Sequence, residues 1–312
     1  MKKNTLFTLL FVLSWLQCGL AAYDYYGTDP RQFARAYAQE KRAKQAITQT
    51  DAQEFAEEYI WEISVAYRPG VATYEEDDSG ITSDYTAFYN DVQFAAKRYF
   101  EKNFEIFGSV AIGGALTDTE TWYVGGPQYQ TNDLNFFRTD LKIMAGKWFN
   151  TGSYLAEKTT WNMPAYLQNL ILEPYGGYGF RYISFRRSNF NILNLITSTD
   201  VVDERYYLSH LDIGVELKTK LTDRWSLRAA SAYGWVFSNE AHNDSLGDID
   251  GEGGHIVDSL LDLSYTINDR LKLTLGGFVE LQKLRGGESD IAIWPDNTLN
   301  IFGGNLKVQY AF

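Results

Sequence analysis

Apolar and polar residues alternate strictly at the C-terminal end of the chain. Every second position from Phe302 to Phe312 is apolar or glycine, and Asn305, Lys307 and Gln309 lie between them. Successive side chains of a β-strand point to opposite faces, so this segment has one apolar face and one polar face. Such a strand fits between lipid and a polar lumen. The pattern therefore predicts a membrane-spanning strand that ends at Phe312.

The same alternation begins near Tyr59 and predicts ten strands. They cover residues 59–75, 83–100, 103–120, 132–148, 169–188, 203–220, 224–239, 253–268, 271–287 and 298–312. Tight polar turns alternate with longer connections near residues 76–83, 118–132, 189–203, 240–253 and 288–298. Outer-membrane barrels keep their short turns on the periplasmic side. We therefore predict an all-β fold, a transmembrane antiparallel β-barrel with extracellular long loops. Residues 149–168 are a long periplasmic connection, and a hairpin hidden there would make twelve strands.

The N-terminal residues predict export. Residues 1–22 have the parts of a signal peptide, with Lys2 and Lys3, an apolar stretch and small residues before Tyr23. Cys18 is the only cysteine, and Gln17 before it argues against lipidation, so the exported chain has no disulfide. Residues 23–57 are rich in Ala, Gln, Glu and Lys and predict a periplasmic arm, helical or partly disordered. Residues 58–312 then form the barrel, which places the protein in the outer membrane of a Gram-negative-type bacterium.

Composition and charge narrow the function classes. The 312 residues carry 28 Lys and Arg against 40 Asp and Glu, a net charge of −12 that argues against a nucleic-acid partner. No apolar run reaches the roughly 20 residues of a transmembrane helix. The histidines His210, His242 and His255 show no metal-binding spacing, so we predict neither a metal site nor a cofactor.

Strand parity predicts which side chains face the lumen. Leu211, Ile213 and Leu273 belong to apolar, lipid-facing sets, so the residues between them point inward. The predicted lumen-lining residues carry both signs of charge: His210, Asp212, Glu216, Lys218, Arg228, Asp262, Lys272, Glu280 and Lys307. Unpaired charges in a narrow barrel are costly, so we expect ion pairs that plug or constrict the lumen. These groups form either a satisfied polar core or a selective conducting surface.

The second half of the chain resembles the omptin family. The resemblance lies in the stretch Gly177-Tyr178-Gly179-Phe180-Arg181-Tyr182, in Ile213-Gly214-Val215 after a Tyr-Tyr pair, and in Tyr233-Gly234-Trp235-Val236. It covers roughly residues 170 to 312. Omptins are ten-stranded outer-membrane proteases whose barrel extends into the extracellular space, so the resemblance implies that fold.

The resemblance also implies a candidate catalytic site. Omptins use an Asp-x-Asp pair and an Asp-x-His pair on opposite rims, and the matching places here read Asp118-x-Glu120 and Glu240-x-His242. His242 would take a proton from a water molecule that attacks the peptide bond. Parity along the strands places Glu240 and His242 inward, but places Asp118 and Glu120 outward unless a bulge intervenes. The substitution of glutamate for aspartate in both pairs weighs against this site.

A second branch of the resemblance consists of omptin-like barrels without protease activity. The tyrosine-rich Protochlamydia outer membrane proteins, regarded as porin-like, are similar in size and tyrosine content. We therefore expect a narrow porin-like channel for small solutes. The alternatives are an endopeptidase that acts on basic peptides and a structural or adhesive surface barrel. The implied partners are outer-membrane lipids, lipopolysaccharide, and the barrel-assembly machinery, which would read Tyr310 and Phe312 as an assembly signal.

Overall fold

The computed structural model describes residues 61–78, 80–100, 103–152, 154, 164–245, 247–288 and 293–312. Ten long strands dominate these residues. They are β1 (Trp61–Asp78), β2 (Ile81–Phe100), β3 (Phe104–Val124), β4 (Gln128–Lys147), β5 (Ile171–Ile192), β6 (Val202–Lys220), β7 (Trp225–Asn243), β8 (Gly254–Thr266), β9 (Leu271–Leu284) and β10 (Asp296–Ala311). The predicted signal peptide (1–22) and N-terminal arm (23–57) lie outside the described residues.

The strands form one closed antiparallel barrel. Each strand pairs with its neighbours along the chain. The first strand pairs with the last from Glu62 opposite Ala311 to Asp77 opposite Asp296. At the periplasmic end, the Trp61 amide donates to the Phe312 carbonyl at 3.1 Å and the Phe312 amide donates to the Trp61 carbonyl at 3.0 Å. Closure leaves no free sheet edge, which a strand structure in lipid requires.

The outer wall carries an apolar band that ends in aromatic rings. Ile63, Leu211 and Leu306 are among the exposed apolar side chains of this band. At its extracellular edge the rings of Phe137, Tyr182 and Tyr207 form a row, with centroids 6.4 and 5.3 Å apart. Aromatic rings with a polar edge favour the boundary between lipid and water. The band identifies the part of the wall that lies in the membrane.

Above the aromatic row the strands continue into water. Outward residues there are polar, such as Glu75, Arg186 and Arg205. The predicted loops 118–132, 189–203 and 240–253 are therefore largely strand. Hydrogen-bonded pairing of the strands continues beyond the point where the outward-facing side chains stop being apolar. Short segments extend these hairpins: Ile196–Ser198 pairs with β5, and Gly247–Gly251 pairs with β7.

The long periplasmic connection adds no barrel strand among the described residues. It contributes the short strand Phe149–Asn150, paired with β5, and the single-turn helix α1 (Ala165–Gln168). The alternative of twelve strands is thus not seen in the part of this connection that the structure describes. Across the described ranges, no helix has the length and hydropathy needed to cross a membrane.

Deletion of Phe312 is expected to lower the amount of assembled barrel in the outer membrane while export continues, because Phe312 closes the seam with Trp61. The measurement compares the heat-modifiable, folded band with total exported protein on gels. Phe302→Ala, an exposed phenylalanine on the same face of β10, is the matched control. Equal assembly of the deletion variant and the wild type would contradict the importance of this seam.

Candidate functional site

The barrel interior is the candidate functional site, and its extracellular half is filled by an apolar layer. All ten strands contribute to one contiguous cluster of buried side chains. Phe185 is at its centre, with ring centroids 4.3 Å from Tyr74, 5.5 Å from Phe136 and 5.8 Å from Tyr206. Tyr206 in turn contacts Trp294, whose Nε1 donates to the Tyr206 hydroxyl at 2.8 Å. These side chains are at most 6% exposed, so the layer is densely packed.

A charged layer lies directly beneath the apolar layer. Arg138 lies 2.5 Å from Glu280 and 2.8 Å from Asp140. Arg181 lies 2.5 Å from Asp140 and 2.8 Å from Glu280, and it also donates to Gln282 at 2.6 Å. Two guanidinium groups and two carboxylates thus form a closed ring across the lumen. Such pairing offsets the cost of removing these charges from water.

A second charged cluster lies above the apolar layer, at the extracellular end. Arg187 contacts Glu76 at 2.6 Å and Glu120 at 2.7 Å, and it also pairs with Glu204. Tyr74 donates to Glu76 at 2.5 Å, Tyr206 donates to Glu204 at 3.0 Å, and Asn132 donates to Glu120 at 2.8 Å. One guanidinium therefore faces three carboxylates, which leaves an excess of negative charge in a buried site. The outer wall at this height is polar, so this cluster lies outside the membrane.

A cavity of about 280 Å³ occupies the periplasmic half of the lumen. Its ceiling is the Arg138 layer, and its lining extends to Lys272 and Gln309 near the periplasmic rim. The wall of the cavity is crossed by ion pairs, including Lys218 with Glu173 at 2.8 Å. The interior is thus asymmetric, with space on the periplasmic side and dense packing on the extracellular side.

The predicted lumen-lining residues all lie on the inner face. His210 Nδ1 lies 2.6 Å from Asp212 Oδ1, and both side chains are buried. A Cβ atom on Gly179 would come within 2.1 Å of the His210 ring, so only glycine fits beside it. The other predicted residues form ion pairs or line the cavity: Glu216, Lys218, Arg228, Asp262, Lys272, Glu280 and Lys307.

The predicted catalytic residues are divided between the two faces of the wall. The register of β3 against β4 shifts between Ala115 and Asp118, and this bulge turns Glu120 inward, where it is fully buried beside Arg187. Asp118 is exposed and accepts a hydrogen bond from the Thr119 amide at 2.8 Å. The bulge is thus the exception under which Glu120 does not take the outward orientation of unbroken strand parity.

A second bulge reverses the orientation of the other pair. The register of β6 against β7 shifts between Ser209 and His210, so that Val236 and Asn239 both point inward. Glu240 and His242 consequently face outward, and His242 Nδ1 lies 2.5 Å from Asp248 on the outer surface. The expectation that Glu240 and His242 point into the lumen is wrong, because parity cannot be extrapolated through a bulge. The structure does not bring the four residues together.

The arginines that organise the interior were not among the residues predicted from sequence. Arg138, Arg181 and Arg187 alternate with outward-facing positions on β4 and β5, so strand parity could have identified them as inward. Their partners come from strands that are distant in sequence, and this pairing leaves no local signal. Among the described residues, no group of three or more metal-ligating side chains has a geometry that could hold a metal ion.

Comparisons with known proteins give likeness of architecture alone. No protein-family model and no curated protein matches the chain. The translocator domain of the autotransporter NalP from Neisseria meningitidis is 12% identical, with 91% of this chain and 95% of that chain covered and a TM-score of 0.42. The transport unit of the autotransporter AIDA-I from Escherichia coli is 11% identical, with 85% and 100% covered and a TM-score of 0.42. The outer membrane protein OprG from Pseudomonas aeruginosa is 10% identical, with 80% and 95% covered and a TM-score of 0.29.

The class of the protein follows from its own geometry. A closed, even-numbered antiparallel barrel with an outward apolar band, an aromatic row and a polar interior is the architecture of outer-membrane proteins. The chain is an integral, multi-pass β-barrel protein of the Gram-negative outer membrane.

The Glu204 carboxyl makes the extracellular cluster sensitive to pH. Burial raises its pKa from the ordinary 4.5 to about 7, with Arg187 opposing the shift and Glu76 adding to it. Glu120, Tyr74, Tyr206 and Asn297 complete its surroundings. Because the folded-state pKa exceeds the unfolded one, protonated Glu204 stabilises the cluster at low pH. This contribution is lost as pH rises from about 4.5 to about 7.

We therefore expect the thermal unfolding midpoint of the wild type to fall between about pH 5 and about pH 8. Glu204→Gln stays uncharged and should flatten this part of the profile. Glu75→Gln, which changes an exposed carboxyl on the outer face of β1, should leave the profile unchanged. Identical profiles for the wild type and Glu204→Gln would refute the role of this carboxyl.

Proposed function

We propose that the protein is a closed surface barrel whose strands extend beyond the membrane into the extracellular space. We propose that it does not act as an open diffusion pore. The observation that carries this proposal is the apolar layer around Phe185, to which every strand contributes. Charged layers above and below it are held by arginines with several partners each. A hydrated solute would have to separate these ion pairs and also enter the apolar layer, and both steps are costly.

A narrow porin-like channel is the second candidate function. The cavity of about 280 Å³ with its charged lining supports it, because this half of the lumen resembles a channel vestibule. Conduction would require the Phe185 layer to move aside. The closed surface barrel and the channel therefore differ in whether the Phe185 layer stays in place or moves aside.

Omptin kinship and its implied activity stay proposals. The count of ten strands and the wall above the aromatic row support kinship with omptin-like barrels. Endopeptidase activity would require Glu240 and His242 on the same face as Glu120, and both face the opposite side. We expect no cleavage of a fluorogenic dibasic peptide by the refolded barrel. Cleavage that is abolished by His242→Ala would establish the protease instead.

Two partners fit the same proposal: the barrel-assembly machinery and lipopolysaccharide. Tyr310 near the end of β10 and Phe312 directly after β10 are both exposed, where the barrel-assembly machinery would read them. Lipopolysaccharide would surround the wall near the aromatic row of Phe137, Tyr182 and Tyr207.

Single-channel recording in planar bilayers tests closure. We expect no conductance steps from the wild type, because the Phe185 layer excludes water. Combined Tyr74→Ala and Phe185→Ala replacement should open the layer and produce steps. Phe180→Ala removes an outward-facing ring from β5, the strand of Phe185, and should produce no conductance steps. Reproducible steps from the wild type would favour the channel.

A further inference from the structure

The extracellular end of the barrel is divided into an acidic side and an uncharged side. The end of β1 and the β7–β8 and β9–β10 connections carry acidic residues, such as Asp77, Asp250 and Glu288. By contrast, residues 121–132 of the β3–β4 hairpin and residues 189–199 of the β5–β6 hairpin contain no Asp, Glu, Lys or Arg. These two hairpins are neighbours, because the Leu193 amide donates to the Tyr129 carbonyl at 2.8 Å.

The uncharged side ends in exposed apolar side chains, which we call the apolar tip. The apolar tip consists of Val124, Tyr129, Leu193, Leu195 and Ile196, which are 42%, 41%, 54%, 82% and 61% exposed. Single exposed apolar residues are common, but a contiguous group of them marks an interaction site. The polar residues within these two uncharged runs include Asn, Gln, Thr and Ser.

The backbone of the β5–β6 hairpin turn is suited to an apolar environment. Phe190 pairs with Ser198 and Ile192 pairs with Ile196, and the Leu195 amide donates to the Ile192 carbonyl at 3.0 Å. A backbone with paired polar groups is the main requirement for entering lipid. Leu193 has a φ of 52°, a left-handed conformation that favours asparagine or glycine. An exposed leucine held in this conformation indicates a functional role for its side chain.

The apolar tip is too far from the protein's own membrane to insert there. Leu193 lies eleven residues beyond Tyr182, which belongs to the aromatic row at the lipid boundary. At about 3.3 Å per residue and a strand tilt of about 40°, the tip stands roughly 28 Å above that boundary. The end of β5 stays paired with β4, so it continues the wall upward.

We propose that the apolar tip inserts into the outer layer of a facing lipid bilayer, so that the barrel attaches its cell to another membrane. This proposal rests on the surface-barrel function and names its partner. The absence of charge in residues 121–132 and 189–199 fits lipid, and Tyr129 fits the interfacial zone of the bilayer. The acidic side would be repelled by anionic headgroups, so the proposed partner is a zwitterionic surface.

The test is co-flotation of the full-length protein, embedded in nanodiscs, with phosphatidylcholine vesicles. We expect the wild type to float with the vesicles, and combined Leu195→Asp and Ile196→Asp replacement to lower binding by about ten-fold or more. Leu195→Asn with Ile196→Asn should also lose binding, because the apolar contact is removed without added charge. Vesicles containing anionic phosphatidylglycerol should bind less protein than phosphatidylcholine alone.

Val201→Asp is the matched control, since Val201 is 45% exposed but lies outside the uncharged run. It should bind like the wild type, and heat-modifiable migration verifies that each variant is folded. Failure of the wild type to float, or equal flotation of the tip variants, would overturn the proposal. So would capture by whole cells without binding to protein-free vesicles. Bilayer conductance is independent of these results, so failure of the tip and failure of the closed barrel are distinguishable.

Discussion

Closure of the sheet between β1 and β10 is the constraint on which the rest of the structure depends. Lipid offers no hydrogen-bonding partners, so a strand protein in the membrane must pair every backbone group within the barrel. The bonds between Trp61 and Phe312 complete this pairing at the periplasmic end. Closure also fixes which side chains face the lumen. Because many of these side chains are charged, the narrow lumen has to hold both acidic and basic groups.

The chain meets this demand by segregating its interior into layers. Arg138 and Arg181 join Asp140 and Glu280 into a ring, and the Phe185 layer separates this ring from the Arg187 cluster. Each layer draws residues from strands far apart in sequence, so the layers also tie opposite walls of the barrel together. The pairing at Arg187, with three carboxylates, leaves an excess of negative charge, and it lies where the outer wall faces water.

Strand parity accounts for how much could be predicted from the sequence. Ten strands, their order and the inward placement of residues such as His210, Asp212 and Glu280 follow from alternation alone. Alternation fails at bulges such as those near Ala115 and Val236, because one extra residue reverses the orientation of the residues that follow it. For this reason Glu240 and His242 face outward, although strand parity predicts that they face the lumen. The arginine partners could not be predicted either, because cross-lumen contacts depend on barrel shear, which local pattern does not encode.

The most direct test of a closed lumen is the accessibility of single cysteines to a membrane-impermeant maleimide, in a chain whose Cys18 is replaced by serine. Gln93→Cys places a thiol in the periplasmic cavity, and Glu75→Cys places one on the extracellular wall. The account predicts that intact cells are labelled at Glu75→Cys and stay unlabelled at Gln93→Cys. Labelling of both positions at similar rates from outside would show an open passage through the Phe185 layer and contradict the account.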